Sequence, residues 1–72
     1  MANLKEWEVY VDLHTGEDYV YDTYKTYEDA VAATVKLAAS ASVIRKISNV
    51  TVIYPLASIE RFLVRHVSSY KS

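Results

Sequence analysis

Trp7-Glu8-Val9-Tyr10-Val11-Asp12-Leu13 is the stretch that decides the fold. Trp7, Val9, Val11 and Leu13 alternate with Glu8, Tyr10 and Asp12, the period of two of a strand that covers a core with one face and meets water with the other. Directly after it, His14-Thr15-Gly16-Glu17 holds the chain's only glycine, where a short hairpin loop wants a residue that tolerates positive φ. A second strand is expected from about Asp18 to Tyr24. Its Tyr19, Val20 and Tyr21 are strong strand formers edged by Asp18 and Asp22. One face of this hairpin belongs to a core, and the other is offered to something else.

Working outward, Thr26-Tyr27-Glu28-Asp29 reads as a helix start. Thr26 can accept from orphan backbone N–H groups, Asp29 stands three residues on, and acids there suit the helix dipole. The helix is expected to reach about Ala41, with Tyr27, Val31, Thr34, Val35, Ala38 and Ala41 on one face. Alanines at 30, 32, 33, 38, 39 and 41 keep it slim enough to lie close on a sheet. Ser40, Ser42 and Ser48-Asn49 break the pattern, while Val43, Ile44 and Ile47 mark the connection as partly buried.

Asn49 to Tyr54 reads as a third strand that ends where Pro55 removes a backbone donor. In the tail, Ile59, Phe62, Leu63, Val67 and Tyr70 follow helical spacing after Ser58. Against that, Phe62-Leu63-Val64 is strand-like, and Tyr54-Pro55-Leu56-Ala57-Ser58 suits a turn. The favoured reading is a second hairpin. The fold class is therefore α+β, a small antiparallel sheet with one helix packed across it, ββαββ, with ββαβα as the alternative.

The 72 residues make one compact domain at most. Half the residues are hydrophobic (51%), about a quarter charged (24%), with one Gly and one Pro, which excludes a disordered or collagen-like chain. Without Cys there is no disulfide framework, thiolate zinc site or Cys nucleophile. No apolar run approaches the roughly 18 residues of a membrane span, and the start lacks the regions of a signal peptide. The expected setting is cytoplasmic, with no membrane. A chain this small without staples commonly gains burial by self-association, so a homodimer is expected. Val50, Val52, Phe62, Leu63 and Val64 would supply much of its contact, with an edge strand pairing with its symmetry mate.

Charge is strongly segregated. Met1 to Ala30 carries eight acids against two bases, and Val31 to Ser72 six bases against one acid. Such asymmetry fits a partner of opposite charge, and it equally fits an acidic strand pairing with a basic one across a sheet.

The residues that carry chemistry do not assemble into a recognisable catalytic set. His14 beside Asp12 and Glu17 is a weak metal signal, best read as a solvated turn, and His66 reads as a packed or surface side chain. The lone Gly16 cannot make a phosphate loop. The chain is expected to be no enzyme and to need no cofactor. Tyrosine is the residue used most unusually, seven in the chain. Its large contact area and polar tip suit either the rim of a small core or a binding surface. The binding reading makes Tyr10, Tyr19 and Tyr21 the anchors, with Glu8, Asp12, Glu17, Asp18 and Asp22 steering toward a cognate or host protein with a basic surface.

In size and style, though through no motif, the chain is similar to accessory proteins that phages and mobile elements use to inhibit or redirect host proteins. The competing class is nucleic-acid binding, with Arg45, Lys46, Arg61 and Arg65, helped by Lys36 and Lys71, on phosphates. A pI near 6.0 and tyrosines confined mainly to the acidic half count against it.

Overall fold

The computed structural model describes residues 6–67. Its elements are β1 (Trp7–Leu13), β2 (Asp18–Tyr24), α1 (Tyr27–Ala38), β3 (Ser42–Ile47), β4 (Val50–Pro55), a short 3-10 turn (Leu56–Ser58) and β5 (Ile59–His66). The fold is α+β and every strand pairing is antiparallel. β2, β1 and β5 form a sheet in that order, while β3 and β4 form a separate two-stranded hairpin. No described helix is long and apolar enough to cross a membrane.

The first hairpin forms where the alternation predicts it. Gly16 takes φ +98, and the loop closes through Gly16 N–H to Leu13 O at 2.9 Å and Leu13 N–H to Glu17 O at 2.8 Å. Val9, Val11 and Leu13 point from β1 into the core, where they meet Tyr19, Ala30, Leu37, Val43 and Ile59. Thr26 caps α1, its Oγ1 accepting from Asp29 N–H at 3.1 Å.

The helix differs from expectation in length and in facing. It ends at Ala38, where the Ala39 amide is shared between Val35 O and Lys36 O, both at 3.2 Å, and the Ser40 amide turns to Leu37 O at 3.0 Å, three residues back, instead of continuing the helical ladder. The Ser40 hydroxyl also donates to Lys36 O at 3.0 Å, which draws off a last-turn carbonyl. Ala30 and Leu37 are buried, with Ala33 and Thr34 half-buried between them, so this stripe faces the sheet. Val35, placed inward by the spacing, is 63% exposed. Complete burial of Ala30 lets the helix backbone approach the sheet closely, and that decides the rotation.

Two further corrections concern the second half. The stretch read as a connection, Val43 to Ile47, is strand β3, and its partner is β4. The tail is a strand, as favoured, but it makes no hairpin with β4; β5 crosses to β1 instead, from Trp7↔His66 to Leu13↔Ile59. The arrangement is ββαβββ. A register shift between Asp12 and Leu13 leaves Glu60 unpaired on β5. Ile59 and Phe62, three apart, therefore both turn to the core, and this bulge produces the helical spacing that made the tail ambiguous. Tyr70 lies outside the described residues.

Candidate functional site

The side of the three-stranded sheet opposite the core carries much of the charge singled out in the sequence. Its middle row is Val20–Tyr10–Leu63 across the three strands, with Asp18–Asp12–Arg61 in the row toward the first hairpin's loop. Toward the other end stand Glu8 and Arg65. The acidic strand is thus answered within the chain. Arg61 Nε donates to Asp12 Oδ2 at 2.9 Å, the Arg65 guanidinium lies 4.7 Å from the Tyr10 ring centre, and the Tyr10 hydroxyl donates to Glu8 Oε1 at 3.2 Å. Burial, and then the Glu8 carboxylate, push the Tyr10 phenol above its ordinary range.

The other expected anchors lie elsewhere. Tyr19 stands opposite Val11 and is only 8% exposed. The hairpin β3–β4 covers it, with the Tyr54 ring 5.9 Å away and the Arg45 guanidinium 4.1 Å above it. Its hydroxyl is buried without a hydrogen-bond partner among the described residues, and burial raises its pKa. Tyr21 falls at a bulge: Val9 pairs with Asp22 and Tyr10 with Val20, leaving Tyr21 unpaired and packed against the core. Tyr10, Tyr19 and Tyr21 therefore do not share a surface. Of the steering acids, Asp12 and Asp18 join Tyr10 and Glu8 on the outer face. Glu17 sits in the exposed loop, and Asp22 is exposed at the bulge, its Oδ1 accepting from Thr23 N–H at 2.8 Å.

The basic set is dispersed as well. Arg45 is engaged with Tyr19 on the inner face of the β3–β4 hairpin, Lys46 is on the hairpin's other face, and Arg61 and Arg65 are on the outer sheet. Lys36 lines a groove of about 450 Å³ with Tyr21, Tyr24, Ala33 and Leu37. Lys71 lies outside the described residues. His14 is exposed in the loop, its backbone N–H donating to Ser58 O at 3.1 Å, and no group of three or more potential metal ligands occurs among the described residues.

What the sequence reading missed is the β3–β4 hairpin itself. Ile44 stands opposite Ile53 and Ile47 opposite Val50, and these four aliphatics are 51%, 61%, 43% and 57% exposed. Val43 and Tyr54, of opposite parity to Ile44 and Ile53, hold the hairpin to the body. Ile44 and Ile53 face away from it, and Ile47 and Val50 project at its tip. The signal was present in Ile47-Ser48-Asn49-Val50, two turn-forming residues between apolar β-branched ones. Ser48 takes φ +55 without the glycine that usually advertises such a loop.

A scan of protein-family models and searches of curated proteins and of solved structures return no match to this chain.

Proposed function

We propose that this chain is a small non-catalytic protein-binding module and that the β3–β4 hairpin is the surface it offers. The observation that supports this is the exposure of Ile44, Ile47, Val50 and Ile53 on a two-stranded ribbon. A lone two-stranded hairpin is marginal in water, and exposed aliphatics on its outward face and at its tip mark it as a surface for interaction. The outer face of the larger sheet, by contrast, already satisfies much of its charge, through Asp12 with Arg61 and Tyr10 with Glu8 and Arg65.

The reading is tested by immobilising the chain in lysate from the organism that encodes it and comparing captured proteins by mass spectrometry. The wild type is expected to retain a partner that Ile44→Asp/Ile53→Asp loses and that Tyr10→Ala/Tyr21→Ala keeps. Loss with the tyrosine variant alone would move the site to the first hairpin. Capture of nothing by a wild type that is also monomeric would refute the reading.

A further inference from the structure

We propose that β4 pairs edge to edge with β4 of a second copy of this chain, antiparallel, about a two-fold axis at Val52. This rests on the hairpin reading above and deepens it by naming the partner.

Open sheet edges are normally guarded by charge, bulges or proline. The edge strand β2 carries Asp18 and Asp22 and a bulge, and β5 carries Glu60, Arg61, Arg65 and a bulge. β3 carries Arg45 and Lys46. β4, of sequence Val50-Thr51-Val52-Ile53-Tyr54-Pro55, has no charged side chain, carries its proline only as the last residue, outside the stretch Val50 to Tyr54, and keeps an unbroken register with β3 from Ser42↔Pro55 to Ile47↔Val50. Among the described residues no strand pairs with its outer edge.

The backbone is arranged for such a contact. In an antiparallel ladder closed by the two-residue loop Ser48-Asn49, the amides of Val50, Val52 and Tyr54 turn toward β3 and those of Thr51 and Ile53 turn outward. Pro55, which has no N–H, falls on the outward parity, where a strand tolerates it. A two-fold at Val52 sets Thr51 opposite Ile53 of the second copy, so that the outward amides and carbonyls of both residues bond across the axis. It also sets Val50 opposite Tyr54.

The absence of charge singles out β4 among the edges, and its own composition suits it to a second copy of itself. Symmetric pairing of β2 about Val20 would set Asp18 against Asp22 of the mate. Pairing of β5 about Leu63 would set Arg61 against Arg65, and directly opposed like charges disfavour pairing. The β4 edge calls for an extended, uncharged, β-branched strand. β4 is such a strand, and alone among the five described strands it lacks charge.

Sedimentation equilibrium on the full chain tests this. Because the contact is a strand edge, smaller than the standard interface, the wild type is expected to show a monomer–dimer equilibrium with Kd on the order of 10 µM. Thr51→Lys/Ile53→Lys, which opposes lysines across the axis at exposed positions, should weaken it by at least about tenfold. Thr51→Glu/Ile53→Lys, which opposes unlike charges, should keep it within about threefold. Should the double-lysine variant not fold, as judged by circular dichroism, Thr51→Pro removes an outward donor without touching the β3 ladder and should equally abolish the dimer.

A wild type that stays near 8.2 kDa up to about 200 µM, or a dimer that both charge variants either leave intact or destroy, overturns the proposal. A monomer that captures a protein, and loses it with Ile44→Asp/Ile53→Asp, refutes self-pairing and leaves the module reading standing. A monomer that captures nothing refutes both.

Discussion

The Arg45 guanidinium lies 4.1 Å from the centre of the Tyr19 ring, tying β3 to the buried side of β2. The hairpin's inner face thus rests on a cation–π contact as well as on Val43 and Tyr54. Arg45→Ala should lower stability by about 1 kcal/mol, and Arg45→Lys by less. Urea unfolding followed by emission of the single Trp7 measures both.

The Tyr19 hydroxyl is buried without a hydrogen-bond partner among the described residues, and an unsatisfied buried polar group opposes folding. Tyr19→Phe should therefore raise stability by about 1 kcal/mol rather than lower it. A loss of similar size in the same assay would show that the hydroxyl is satisfied.

Burial raises the phenols of Tyr10, Tyr19 and Tyr24 above their ordinary value. When a folded-state pKa is raised, the unfolded chain releases its proton first, so stability is intact below about pH 10 and falls as pH rises toward the folded value. Melting temperatures taken through this window should fall with pH. The slope should be shallower in Tyr19→Phe, and equal slopes would contradict burial as the cause.

Two backbone positions give opposite signs. Thr26→Ala removes the cap on Asp29 N–H and should cost about 1 kcal/mol. Ser48→Gly relieves a non-glycine residue at φ +55 and should add about 0.5 to 1 kcal/mol. Thermal unfolding of the two variants beside the wild type decides both.

The Asp12–Arg61 pair spans 49 residues of sequence, yet Arg61 is 62% exposed. A double-mutant cycle should return less than about 1 kcal/mol, reduced further by salt. Its role is to occupy the acidic face.

Much of the first half was legible because its signals are local: the alternation of Trp7 to Leu13, a glycine that must take positive φ, and a threonine three residues before Asp29. The side of the sheet on which each tyrosine falls was not, because it depends on register and on the bulge at Tyr21, and a bulge leaves no local mark. The same holds for β5, where the unpaired Glu60 converts a strand's period into a helix-like one. β3 escaped because its turn uses Ser48-Asn49 and because Arg45 and Lys46 interrupt an apolar run. The acid–tyrosine surface was proposed from composition; strand order then divided its tyrosines between two faces and set Arg61 and Arg65 beside its acids.

The most direct measurement is amide hydrogen exchange resolved by residue, on the wild-type chain at two concentrations bracketing about 10 µM. If β4 is buried against β4 of a second copy, the Thr51 and Ile53 amides slow markedly at the higher concentration while those of β2 do not change. Exchange at Thr51 and Ile53 that is independent of concentration, or protection gained on β2 instead, would contradict self-pairing through β4.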